Sequence, residues 1–187
     1  MNISVDNQII QSVLSGDRQA FGELVLKYQD RLFHSLLCML GNSDDALELT
    51  QEAFVQALVN LEKFRGESAF YTWLYRIAIN MASSMKRKKS IASFDALSEK
   101  FDLNPLDPMD SPERTLEIKE NQKVVWEAIE QLAPDFRQAL ILREIEGYDY
   151  DTIASILNIK IGTVRSRLYR ARIQLAEILS KTANYES

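Results

Sequence analysis

Cysteine and histidine each occur once in the 187 residues, as Cys38 and His34. One cysteine cannot close an intrachain disulfide, so nothing points to an oxidising compartment. Cys38 sits within LFHSLLCML and reads as a buried, inert thiol. Zinc sets built from cysteine and histidine are excluded, and His34 reads as a satisfied or half-buried side chain. Glycine and proline are scarce, at six and four residues. Gly162-Thr163 has neither the glycine spacing nor the lysine of a phosphate-cradling loop. A nucleophile elbow and a Ser–His pair are also missing. These absences predict a protein with no catalytic residues, no metal, no cofactor and no small-molecule substrate. No apolar run reaches the ~18 residues of a membrane span. The first residues, MNISVDNQII, lack the basic-then-apolar order of a signal peptide. A cytoplasmic protein is expected.

What is present is helical. The chain is 46% hydrophobic and 26% charged, a composition that fits one globular domain or two small ones. Nearly every apolar run steps by three and four, which predicts an all-α fold. A first helix is expected over Asp6–Leu14, ended by Ser15-Gly16-Asp17. Phe21, Leu24, Val25, Tyr28, Leu32, Leu36 and Met39 place an amphipathic helix from Ala20 to Leu40, closed by Gly41-Asn42. Ser43 or Asp44 is then the expected cap of a helix over Asp45–Leu61, whose acidic first turn suits its dipole. After the loop Phe64–Ser68, Ser68 or Ala69 opens a helix that runs to the cations Lys86-Arg87-Lys88-Lys89.

The pattern then changes. From Ser90 to about Pro112 the apolar residues lose their period, Pro105, Pro108 and Pro112 appear, and acids outnumber bases. This reads as a flexible acidic linker. The expected organisation is therefore an N-terminal helical domain over 1–89, a linker over 90–111 and a C-terminal domain over 112–187. In the second domain a helix is expected from Pro112 to Leu132 and another from Pro134 to Glu146, ended by Gly147.

The strongest signal lies in YDTIASILNIKIGTVRSRLYRAR, Tyr150 to Arg172. Ile153, Ala154, Leu157, Ile159, Val164 and Leu168 fit two short helices crossing at a turn near Asn158, with Ala154 small where the backbones approach. The second helix carries Arg165, Arg167, Arg170 and Arg172, and its outer face shows Arg165, Ser166, Tyr169 and Arg170. That is the layout of a helix-turn-helix whose second helix enters a DNA major groove. The bland alternative is a merely charged surface helix, which would not need the turn or the apolar register beside it. The formal net charge is −5, so arginine gathered on one helix face marks local binding of a polyanion.

Two further clusters stand out. Asp44, Asp45, Glu48 and Glu52 could imitate a metal site, but without histidine they read as a solvated or partner-binding helix face. Phe64, Phe70, Tyr71, Trp73 and Tyr75 lie close together beside Arg65, Arg76 and the Lys86–Lys89 run. Here two readings stay open. The aromatics are core and the cations solvated, or the rings form a stacking platform for unpaired bases, worth ~1–3 kcal/mol per base.

GDRQAFGELVLKYQDRL, DDALELTQEAFVQAL, FRGESAFYTWLYRIAIN and REIEGYDYDTIASILNIKIGTVRSRLYRAR, in that order, resemble the extracytoplasmic-function (ECF) sigma factors of bacterial RNA polymerase, and their envelope-stress members most of all. The resemblance spans nearly the whole chain. It implies two helical domains on a flexible linker, core polymerase and promoter DNA as partners, and restraint by an anti-sigma protein that is often membrane-anchored. By resemblance, Asp45, Leu49, Gln51, Glu52 and Phe54 match the surface that docks on the clamp helices of the largest polymerase subunit, and the flap is a second polymerase contact. Phe64 and Phe70 match walls of a pocket for a flipped minus-10 base, and Asn80 matches a reader of a base edge. Thr163, Arg165, Ser166, Tyr169 and Arg170 match the readers of the minus-35 element. Asp149-Tyr150-Asp151 and Ile159-Lys160-Ile161 depart from the family's usual residues. Two rivals are an ordinary helix-turn-helix repressor, which would bind DNA tightly without polymerase, and a helical adaptor, which would show no sequence dependence on DNA.

Overall fold

A computed structural model describes residues 5–92 and 124–185 of the chain. The chain divides into two units, Met1–Leu97 and Ser98–Ser187. Residues 93–123, which include most of the expected linker and the start of the expected Pro112–Leu132 helix, lie outside the described residues.

Among the described residues the first unit contains four α-helices. Helix α1 spans Val5–Leu14 and ends at Gly16, whose φ of 114° needs glycine. Asp17 caps a 3-10 turn, Arg18–Ala20, by accepting from the amides of Gln19 and Ala20. Helix α2, Phe21–Leu40, stops where Gly41 turns left-handed (φ 70°) and donates to the Leu37 carbonyl at 2.8 Å. Helix α3 is Ser43–Val59, and its cap is Asn42 rather than Ser43 or Asp44. Asn42 holds an extended backbone, and its side-chain oxygen accepts from Asp45 N at 2.8 Å; Ser43 and Asp44 are already helical. A 3-10 turn over Leu61–Lys63 takes the place of the expected last helical turn. Helix α4 is Phe70–Ala92, one or two residues later than expected at its start, with the Ala69 carbonyl accepting from Trp73 N.

Leu24, Leu32 and Leu36 of α2 and Leu74 of α4 are sealed in this unit's core. Ala46, Ala53 and Ala57 of α3 and Ala78 of α4 are also fully covered, and such small residues let helices approach closely. The buried hydroxyls of Ser35 and Tyr75 satisfy each other at 2.7 Å.

In the second unit, α5 covers 124–130 and α6 covers Pro134–Leu140, with Pro134 in its first turn. Arg137 donates to the carbonyls of Glu130 and Leu132, filling acceptors that the end of α5 leaves open. Beyond Leu140 the chain stays helical to Ile145, as the pattern predicts, but as a π-helix over Ile141–Ile145. Its register shows in Glu146 N donating to the Ile141 carbonyl at 3.0 Å. Helix α7, Tyr150–Leu157, is capped by Asp149, and Asn158 makes the turn in the left-handed region (φ 52°, ψ 49°). Helix α8 is a single 25-residue helix, Ile161–Tyr185, not the short one expected. Ile129, Leu132, Leu140 and Ala171 form a core cluster, and Trp126, Phe136, Leu175 and Ile178 pack against it. That packing is why α8 continues past the helix-turn-helix. Among the described residues no helix is long and apolar enough to cross a membrane.

Candidate nucleic-acid and protein interfaces

Val164, Leu168 and Ala171 are buried at i, i+4 and i+7, which fixes the inner face of α8. Arg165, Ser166, Tyr169 and Arg170 therefore stand on the outside, with Tyr169 68% exposed, and Thr163 is half-buried in the first turn. Ser166 Oγ donates to the Thr163 carbonyl at 3.0 Å, which leaves its lone pairs as acceptors on the outer face. The four arginines are sorted. Arg167 pairs with Asp135, and Arg172 donates to Glu144 Oε1 at 2.7 Å, which raises its pKa. Among the described residues Arg165 and Arg170 have no carboxylate partner. Arg143 lies 5.3 Å from the Tyr150 ring centre and donates to the Tyr148 carbonyl at 2.8 Å, bracing the entry to α7.

The aromatic cluster divides between the two readings. Phe70, Tyr71 and Tyr75 are core, and Phe70 is only 1% exposed. Phe70, expected to help wall a pocket for a flipped base, shares the inward face of α4 with positions 71, 74, 75 and 78. Phe64 and Trp73 are half-buried, with ring centres 5.3 Å apart, and each lies 6.0 Å from the Phe70 ring. The accessible platform is thus two rings on a buried third. Asn80 is exposed and follows Trp73 by seven residues, two turns along the same helix face. The side chains of Lys86–Lys89 lie outside the described residues.

On α3, Gln51 and Glu52 are exposed and Asp45 is half-buried. Leu49 and Phe54, expected in the polymerase-binding set, are 1% and 6% exposed. Both point inward, and Phe54 meets Phe21 edge-on at 6.4 Å. The residues that sequence reasoning missed lie beside them. Val25, Gln29 and Phe33 of α2 and Leu47, Gln51 and the edge of Phe54 on α3 line a groove of about 420 Å³. Leu47, Val55 and Val59 are exposed apolar residues off the core period, and that was the available signal. No group of three metal-ligating side chains occurs among the described residues.

Residues 24–91, which hold the groove and the aromatic platform, match the family Sigma-70 region 2. Residues 122–175, which hold the helix-turn-helix, match Sigma-70, region 4. Over 173 residues the chain is 41% identical to the RNA polymerase sigma-H factor of Pseudomonas aeruginosa, covering 89% of this chain and 90% of that protein. It is 40% identical, with the same coverage, to the ECF RNA polymerase sigma-E factor of Escherichia coli K12. This chain belongs to the ECF sigma factors. Among solved structures, the sigma factor RpoE of Bartonella quintana, in complex with the anti-sigma factor NepR, aligns with a TM-score of 0.69 at 25% identity. That alignment covers 86% of this chain and 96% of the other. CnrH, in complex with the cytosolic domain of CnrY, shares the fold with a TM-score of 0.68 at 21% identity, over 95% of this chain and 99% of its own. A sigma factor is a transcription initiation subunit, not an enzyme.

Proposed function

We propose that this sigma factor divides promoter recognition between its two units, and that the sorting of the α8 arginines carries the assignment. Two arginines are held by carboxylates of the same unit, which leaves Arg165 and Arg170, with Ser166 and Tyr169, to meet the minus-35 element in the major groove. Thr163, in the first turn, belongs to the same face. Phe64 and Trp73, supported from below by Phe70, stack on an unpaired minus-10 base, and Asn80 reads a base edge two turns away. The α2–α3 groove with Asp45, Gln51 and Glu52 docks on the clamp helices of core polymerase, and Leu49 and Phe54 shape that face from inside. The C-terminal unit meets the flap. The working division is 1–89 for polymerase and minus-10 contacts, 90–111 as linker and 112–187 for minus-35 contacts.

The Bartonella quintana relative was solved with an anti-sigma factor. An anti-sigma protein that covers the exposed apolar residues of α3 would keep this chain inactive in the cytoplasm, and a membrane anchor on that protein would hold it at the inner membrane. Run-off transcription with purified core polymerase tests the reading across candidate promoters, with and without this chain. Transcripts that depend on both the chain and the promoter sequence are expected. Tight specific binding by the free chain with no effect on transcription would support the repressor instead, and binding indifferent to DNA sequence would support the adaptor.

A further inference from the structure

Asp6 is a buried acid that nothing above uses. It sits in the first turn of α1, is 8% exposed, and has both carboxylate oxygens engaged. Lys27 Nζ donates to Oδ1 and the Tyr28 hydroxyl donates to Oδ2, each at 2.5 Å. Burying a carboxylate is costly, and an ion pair whose lysine is 47% exposed contributes little to stability. Phenylalanine at position 28 with an apolar residue at position 6 would fill the same space without a buried carboxylate. What the pair adds is direction. The hydroxyl bond fixes the tilt and depth of the Tyr28 ring.

That ring sits at the base of the promoter-facing aromatics. Tyr28 stacks on Tyr71 with ring centres 5.2 Å apart, and it meets Phe70 at 6.0 Å. Phe70 in turn touches Phe64 and Trp73, each at 6.0 Å. Arg31 covers the Tyr71 ring, with its guanidinium carbon 4.3 Å from the ring centre. An unbroken path of ring contacts thus joins the Asp6 carboxylate to the two half-exposed rings. Close-packed interiors transmit such displacements, because a shifted ring must move its neighbours.

We propose that Asp6 and Tyr28 are positioning residues for promoter opening, holding through Phe70 the angle at which Phe64 and Trp73 meet an unpaired base. The inference rests on the reading that Phe64 and Trp73 contact unpaired DNA. Neither Asp6 nor Tyr28 touches DNA in it. Burial raises the pKa of Tyr28, which keeps its hydroxyl a donor across the physiological range.

The test uses holoenzyme on a promoter that gives a run-off transcript, comparing duplex DNA with the same promoter pre-melted. Tyr28→Phe keeps the ring and removes the tether. It should slow permanganate-detected opening of the duplex by about tenfold, the scale of one lost hydrogen bond to a charged group. It should leave holoenzyme binding to duplex unchanged and open normally on the pre-melted template. Asp6→Ala should behave alike, whereas Asp6→Asn, which retains an acceptor for the hydroxyl, should recover most of the rate. Normal duplex opening by Tyr28→Phe overturns the proposal, as does an equal loss on both templates, which marks a folding defect. Phe64→Ala in parallel separates the layers. If it slows opening while Tyr28→Phe does not, only the positioning role falls. If Phe64→Ala opens DNA normally, the reading beneath falls too.

Discussion

Arg172 and Glu144 are joined at 2.7 Å, an ion pair that ties α8 to the π-helical segment before the helix-turn-helix. Arg170, two residues earlier, is exposed with no carboxylate partner among the described residues. The sequence RSRLYRAR offers four equivalent cations, and tertiary structure makes them unequal. Arg172→Ala removes a pair whose side chains are each 51% exposed. Such pairs contribute about 0–1 kcal/mol, so stability should drop slightly and promoter affinity should stay near wild type. Arg165→Ala and Arg170→Ala should instead weaken promoter binding by holoenzyme. A lost base contact costs ~1–3 kcal/mol and relaxes specificity at one base, whereas a lost phosphate contact reduces the salt slope by about one. Anisotropy titrations at several salt concentrations distinguish the two. Equal losses for Arg170→Ala and Arg172→Ala would contradict the sorting.

Phe54 and Glu52 lie two residues apart on α3 and should fail in different ways. Phe54 is packed on Phe21 in the core, so Phe54→Ala should destabilise the fold by about 3–5 kcal/mol, seen as a lowered melting midpoint. Glu52 is exposed, and Glu52→Lys should leave stability within about 0.5 kcal/mol. It should still weaken capture of core polymerase, because it inverts the charge beside the α2–α3 groove. Normal capture by Glu52→Lys would remove that face from the interface.

The same helix shows what the residues alone could and could not reveal. Its length and acidic start follow from period and dipole, and the all-α fold follows from the same pattern repeated down the chain. But α3 carries apolar residues on more than one face, including Leu47, Leu49, Phe54, Val55 and Val59, and periodicity cannot say which of them turn inward. Leu49 and Phe54 turn inward, beside the alanines that bring α3 close to its neighbours. The inward turn of Phe70 on α4 is equally invisible to periodicity. The partners of Arg167 and Arg172 lie 32 and 28 residues away, beyond any local pattern. The π-helix over Ile141–Ile145 was not legible, because it differs from an α-helix by one hydrogen-bond register and keeps the same apolar composition. The helix-turn-helix was legible because its signals are local: a cap, an asparagine turn and a stripe of small and aliphatic residues.

Asn158 makes that turn at φ 52°, the only described non-glycine residue with positive φ. Asparagine tolerates this region and a β-branched residue does not. Asn158→Gly should melt at or slightly above the wild-type temperature. Asn158→Val should be destabilised by about 1–3 kcal/mol. Its minus-35 binding should fall at temperatures where the N-terminal unit remains folded. Circular dichroism melts beside anisotropy at matched temperatures would show both effects. An Asn158→Val protein as stable as wild type would mean that the turn has a second conformation available.

Asp149 gives the second unit a pH dependence of known sign. Its carboxylate accepts from Thr152 N at 2.8 Å, and the hydrogen bonds from Thr152 hold its pKa below the usual carboxylate range. A depressed folded-state pKa means stability that is fully present above the unfolded-state value and is lost as pH falls through the folded one. The cap should therefore act at full strength at neutral pH and weaken from about pH 4 downward. Asp149→Asn keeps a side-chain acceptor for the same amide but has no proton to gain. The wild type should melt higher than Asp149→Asn at pH 7, and the gap should narrow as the pH falls below the usual carboxylate range. Both proteins share every other titrating carboxylate, so the difference between their melting curves isolates this cap. A gap that stays constant across that range would show that the Asp149–Thr152 bond does not depend on charge.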